Sequence, residues 1–326
     1  MSDPSTPHGP RASRAQTDVQ SPEPKPEPGG VDLPPSEQEK KERSASLWAD
    51  AWRELYRSPV FVLAAAVVLV VISWAVFPTL WTSTGTDGGP CILAESRQGP
   101  SSKHIFGTTF QGCDLYSHVI NGARPSIIIA VLVTLATCIV GVAFGIVAGF
   151  YGGSLDTVLS RITDVFLGLP FLLGAVVVLS LLGSQNIWTV SAVLILLSWP
   201  PIARIMRGSV IAVKALDYVE AARALGASNM SIIFRHILPN SIAPVIVVGT
   251  LYLGGFVSAE ATLTFLGVGL QIPEISWGIT IAQGQDYAIA GYPHLLIFPC
   301  AALIITVLAF IVMGDAMRDA LDPRGR

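Results

Sequence analysis

The sequence predicts an all-α membrane protein of six transmembrane helices with both termini on one side, the cytoplasmic one. Three observations lead there. The 326-residue chain is 51% hydrophobic and 13% charged, with mean hydropathy +0.58, a balance that belongs to membrane proteins rather than soluble domains. Six apolar segments recur along it, each about long enough to cross a hydrocarbon core of roughly 30 Å. All but three of the 20 Lys and Arg residues fall on one side of those segments, the exceptions being Arg97, Lys103 and Arg124. By the positive-inside rule, the basic side is cytoplasmic. The formal charge of −3 says nothing useful about partners.

Residues 1–46 lack apolar periodicity and are rich in Pro, Ser, Glu and Lys. They cannot bury enough surface to offset ordering, so they read as a disordered cytoplasmic tail with no cleavable leader. Residues 47–58 follow as a short amphipathic helix with Trp48, Trp52, Leu55 and Tyr56 on one face. That face either lies at the membrane interface or extends the first span into the cytoplasm.

The spans are Val60–Phe77, Ile127–Phe150, Ile162–Leu182 (interrupted by Pro170), Ile187–Ile205, Ile242–Val268 and Leu295–Met313. The second carries Gly141, Gly145 and Gly149 four residues apart, which stacks them on one face and admits a neighbouring helix closely. Arg161 and Asp164 are spaced to pair at the membrane edge, a structural role. An external segment, 80–124, separates the first two spans. The stretch Gln271–His294 carries no Lys or Arg and either re-enters the membrane or caps the outer mouth.

The loop 206–240 is cytoplasmic yet written as helices. Asp217 reads as an N-cap with Glu220 three residues on, the capping-box spacing. Ala221, Ala222, Ala224 and Leu225 favour helix and Gly226 stops it, giving about two turns, roughly 12 Å. Ser228 or Asn229 caps a second helix that carries Met230, Ile232, Ile233 and Phe234 and ends before Pro239. A helix so short is marginal alone, so it needs something to dock on.

Glu220-Ala221-Ala222, then Gly226, then His236-Ile237-Leu238-Pro239 resembles the EAA loop of ABC-importer permeases, and the run Arg235 to Asn240 resembles the oligopeptide and dipeptide branch. The family pattern has Ile where this chain has His236. The resemblance covers roughly residues 52–326 and implies a type I importer permease fold over 59–326. It also implies that Glu220, Ala221, Ala222, Gly226, His236, Leu238 and Pro239 couple to a separate ATPase. The implied partners are a second homologous permease, two ATP-binding subunits, an extracellular substrate-binding protein, a peptide substrate and membrane lipid, with no nucleic acid. ATP and Mg would then sit on the partner subunits, with no cofactor or metal in this chain. Nickel or glutathione permeases share much of the signature. An ion-coupled secondary transporter is the alternative of a different class, but it calls for inverted repeats with broken helices, which the sequence does not show.

The external segment resembles the family's signature before its second span in His104-Ile105-Phe106-Gly107-Thr108 and Gly122-Ala123-Arg124-Pro125-Ser126. It departs at Thr109, where the family has Asp, and at Cys113, where the family has Arg. The gained Cys113 shares its segment with Cys91, and on an oxidising face the two are either bonded or free thiols. Cys138 and Cys300 fall inside spans as small apolar packers. Glu260 lies within an otherwise apolar fifth span, where a carboxylate is expensive. It either lines the translocation path, meeting a peptide's amino terminus, or pairs with a neighbouring helix. No phosphate-binding G-x-x-x-x-G-K-[ST] loop and no nucleophile constellation occurs, so ATP hydrolysis and hydrolase chemistry have nothing to rest on.

Overall fold

The computed structural model describes Arg53 and residues 55–82, 90–183 and 185–321, so the expected tail 1–46 and the residues Trp48 and Trp52 lie outside the described chain. Leu55 is buried against Ala320, Phe61, Ala316, Met317 and Leu321, whereas Tyr56 is exposed. The helices are α1 (Pro59–Val76), α2 (Leu115–Tyr151), α3 (Gly153–Leu167), α4 (Phe171–Leu182), α5 (Ile187–Lys214), α6 (Asp217–Ala224), α7 (Asn229–Ile232), α8 (Leu238–Ser241), α9 (Ala243–Phe265), α10 (Trp277–Ile289) and α11 (His294–Leu321). Among the described residues no strand forms. Five helices (α1, α2, α5, α9 and α11) are long and apolar enough to cross a membrane, and the pair α3–α4 makes a sixth crossing if its bend is counted as one span.

The expected spans recur with two corrections. The third is not one helix from Ile162 to Leu182, because α3 and α4 meet at 83°. Leu169 precedes Pro170 and is thereby biased out of helical backbone, and Pro170 has no N–H to continue the ladder, so the chain turns there. At 12 residues, α4 alone reaches only about 18 Å. The second span begins at Leu115 rather than Ile127, because Asp114 caps it by accepting the Ser117 N–H at 2.9 Å. Pro125 is accommodated inside it. Likewise α5 runs through Pro200 and Pro201 to Lys214.

The centre of the bundle is the contact of α2 with α5. A Cβ at Gly141 would stand 2.6 Å from the Ile202 Cβ, one at Gly145 2.6 Å from the Met206 Cβ, and one at Gly149 2.9 Å from the Val210 Cβ. The three glycines therefore form the slot that receives one ridge of α5. Arg207 of α5 closes the seam by gripping Asp156 of α3 in a two-point contact, at 2.5 Å through Nε and 2.7 Å through Nη2. Asp164 is held at 2.8 Å by Arg204 and only at 3.9 Å by the expected partner Arg161.

Gly145→Ala should destabilise the solubilised protein by about 1–3 kcal/mol, since the new methyl has backbone and Met206 in its way. Gly208→Ala on the same helix pair meets open space and should leave the melting temperature unchanged or slightly raised. Equal melting temperatures for the two variants would remove the seam from the account.

Candidate functional site

The two ends of the bundle carry different apparatus. Where α5 ends, Lys214 donates to the Phe150 carbonyl at 2.5 Å and stands over its ring, tying the ends of α2 and α5 together. The chain then folds back into α6. Asp217 is not the cap expected from the sequence. Leu216 occupies that position and has no side-chain acceptor, so Asp217 and Glu220 lie in the first turn, where they favour the helix through its dipole. The helix starts one residue early because Leu216 already accepts the N–H groups of Val219 and Glu220, and Val219 is fully buried beneath.

The other end of α6 is closed by a two-bond cap. The Ala227 N–H reaches the Ala222 carbonyl at 3.1 Å and the Gly226 N–H reaches Arg223 at 3.0 Å. That geometry needs a left-handed residue, and Gly226 supplies it at φ +81°. Ser228 caps α7 by accepting from the Ser231 N–H. The second helix does not stop before Pro239. A π-helical turn, Ile233–Ile237, joins α7 to α8, and Pro239 falls in the first turn of α8, where its missing N–H costs little.

Seen from outside, α6 to α8 is an apolar-topped knob. Ile232, Ile233, Ile237 and Val219 pack below with Met206, Val210 and Val213 of α5, and Leu238 fills in beside them. Above, Leu225 is 89% exposed, with Met230, Phe234, Tyr218 and Leu216 also exposed around it. Glu220, Ala221 and Pro239 face outward, Ala222 is half-buried, and the ring of His236 lies 6.1 Å from that of Tyr218. The residues expected to couple therefore gather at this one end.

The candidates Cys91, Cys113 and Glu260 sit at the other. Cys91 and Cys113 are joined by a disulfide, with Cα atoms 4.1 Å apart. It staples a platform, residues 90–114, whose strand-like bonds include Ile92 N–H to Gly112 and Arg97 N–H to Thr109. His104 stands between Asp114 at 3.0 Å and Glu95 at 3.3 Å, and Lys103 donates to Glu95, which lowers that carboxyl's pKa. The platform seats on the following helices by stacking Phe106 on Phe298 and Phe110 on Tyr287.

Glu260 has no exposed surface. Its carboxylate accepts from Ser126 of α2 at 2.7 Å and from Thr264 at 3.0 Å, with the Ser276 hydroxyl as a third partner. Thr264 in turn accepts the Leu270 N–H at 3.0 Å. Beside this knot, the Trp277 indole N–H donates to the Val119 carbonyl at 2.8 Å. Sequence reasoning singled out Glu260 but missed Trp277 and the capping Asp114; Asp-Leu-Tyr-Ser at the start of α2 carries the capping signal.

Glu260→Ala should lower stability by about 1–3 kcal/mol, because the buried hydroxyls of Ser126, Thr264 and Ser276 lose their acceptor. Glu260→Gln retains one acceptor oxygen and should recover most of the melting temperature. Equal losses in the two variants would remove hydroxyl satisfaction as the reason for the residue.

The fold has solved counterparts. The chain resembles an inward-facing structure of the MetNI methionine ABC transporter at TM-score 0.51 and 20% identity, over 63% of this chain and 96% of that one. Among curated proteins, it is 36% identical to the glutathione transport system permease protein GsiD of Pectobacterium atrosepticum, over 85% of this chain and 91% of that protein. Against Bacillus subtilis it is 35% identical to the dipeptide permease protein DppC, over 88% of each chain, and 34% identical to the oligopeptide permease protein OppC, over 87% and 92%. Residues 46–90 match the N-terminal TM domain of oligopeptide transport permease C, and residues 141–326 match the inner membrane component of binding-protein-dependent transport systems. With its bundle of apolar helices and its loop knob at one end, the chain belongs to the family of binding-protein-dependent transport system inner membrane components, the permease subunits of ABC importers.

Proposed function

We propose that this chain is the permease subunit of an ABC importer for di- or oligopeptides, forming half of the translocation pathway. The observation that carries the coupling role is the knob. A two-turn helix ended by Gly226 presents Leu225, Met230 and Phe234 to solvent while Val219, Ile232 and Ile237 root it in the α2–α5 core. An exposed apolar top on a rigid base is a docking surface. Its partner is an ATP-binding subunit at the cytoplasmic face; on this reading both termini of the chain share that face and the disulfide platform lies outside, as the positive-inside rule also expects. ATP and Mg chemistry belongs to two such subunits, and a second, homologous permease supplies the other half of the pathway. An extracellular binding protein delivers substrate on the platform side.

Peptide is the substrate class favoured by the dipeptide and oligopeptide permeases among the relatives. The glutathione permeases among them transport a molecule that is itself a small peptide. ATP-driven closure of the two ATPases would press on α6, and the buried side chains beneath it would carry the displacement into α5.

Gly226→Val puts a β-branched residue at φ +81° and should abolish uptake in the assembled complex while the chain inserts normally. Gly226→Asn, a residue that tolerates left-handed backbone, should keep a measurable fraction. Full transport by the Val variant at normal expression would sink the coupling role of this helix. A cysteine at Ala222 should crosslink to the ATP-binding subunit only in the assembled complex.

A further inference from the structure

The disulfide end of the bundle holds a second feature that the coupling role does not use. A cavity of about 630 Å³ opens between the start of α5, the middle of the Asn121–Ile128 stretch of α2, and the loop that follows α9. Its volume falls in the range of about 300–1,000 Å³ usual for small-molecule sites. Two charges of opposite sign line it, Arg124 and Glu274, and between them the walls are apolar: Ile128, Ile187, Pro273 and Ile275.

The charges are placed there by packing. From Asn121 to Ile127 every residue of α2 is buried except Arg124, so the helix turns its one cation outward into the cavity. Among the described residues, neither Arg124 nor Glu274 has an opposite charge within ion-pair distance. The loop that carries Glu274 is pinned to α2 on both sides, by the Ser126–Glu260 bond at 2.7 Å and the Trp277–Val119 bond at 2.8 Å. Close backbone approach adds to this: a Cβ at Gly122 would come within 3.2 Å of Ser276 and Trp277. The two charges thus sit on a common, preorganised frame.

Resting on the peptide reading above, we propose that this cavity binds the substrate as a zwitterion. The guanidinium of Arg124 takes the terminal carboxylate, and the carboxylate of Glu274 takes the terminal ammonium. A planar guanidinium is suited to hold a carboxylate by two parallel bonds, and an acidic side chain pairs with an ammonium. The apolar walls accept side chains by contact and read no sequence. A small peptide with both termini free fits this arrangement, while a molecule lacking either end charge leaves one cavity charge without a partner. Glu260 and Trp277 are then positioning residues, since they hold the frame without touching the ligand.

The test uses the assembled complex of both permeases and both ATP-binding subunits in nanodiscs, without the binding protein, so that only the permease selects. Ile128→Cys, or Ile275→Cys should the first fail to assemble, is labelled with a maleimide. Peptide mapping separates the new thiol from Cys138 and Cys300. Ala-Ala should slow labelling, and N-acetyl-Ala-Ala or Ala-Ala-amide should need about tenfold more for the same protection. Adding Arg124→Gln should raise the Ala-Ala requirement about tenfold and leave that of Ala-Ala-amide unchanged. Glu274→Gln should do the same for Ala-Ala against N-acetyl-Ala-Ala. Absence of protection by Ala-Ala, equal protection by all three peptides, or a variant that shifts all three alike would each overturn the proposal.

Uptake of Ala-Ala by proteoliposomes supplied with the binding protein is measured in parallel. Uptake without protection removes the zwitterion site and leaves the peptide permease standing. Protection in the predicted pattern without uptake keeps the site and removes the reading of peptide import.

Discussion

The close contact of α2 with α5 is the constraint on which the rest of the molecule depends. Three glycines let the two backbones approach until Ile202, Met206 and Val210 fill the slot. In a hydrocarbon environment no solvent exclusion drives helices together, so this shape match must supply the association. The same three side chains then serve a second time. Ile202, Met206 and Val210 are fully buried members of the cluster that includes Val219, Ile232 and Ile237 under the loop knob. The knob proposed to dock an ATP-binding subunit and the axis of the bundle therefore share one core. A shift in either must be felt by the other, because close-packed side chains transmit displacement rather than absorb it.

The opposite end is organised by polar bonds instead. Glu260, Ser126, Thr264 and Trp277 make a buried set of hydrogen bonds that fastens the turn after α9 to α2. Above it the disulfide and the stacked rings of Phe106 and Phe298 hold the platform. Buried polar bonds are directional, so this end is fixed in register as well as in position.

Much of this was legible in the sequence, because the dominant signals are local. Apolar runs gave the crossings, glycine spacing gave the seam, and Gly226 gave the stop of α6. What was missed depends on tertiary context. Asp217 carries the look of a cap, but with Val219 buried the cap falls on Leu216 and α6 starts at Asp217. Pro239 looked like a terminator, yet a π-helical turn shifted the register so that no N–H was needed there. Pro170 signals an interruption of the third span, but the sequence alone does not show its size, an 83° elbow between two helices. For Glu260 the apolar surroundings were plain, but its hydroxyl partner Ser126 is 134 residues away and invisible to any local pattern.

Pro200 and Pro201 lie inside α5 at the level where Gly141 meets it, and the helix runs on through both. Each proline lacks the N–H that would bond the residue four before it, so two successive rungs of the ladder are missing, at Leu196 and Leu197. The backbone ladder is thinnest at that level, and α2 braces it on either side of Gly141, with Thr137 hydrogen-bonded to Ser198 at 2.9 Å and Phe144 packed on Trp199. The helix is thus two full ladders joined by a thinner one, the first rooted in the knob and the other ending at Ile187 beside Arg124 and Glu274. A displacement at Lys214, were the proposed coupling to deliver one, would meet this thinner stretch on its way to Ile187, and any tilt that survived it would alter the width of the cavity that Ile187 walls.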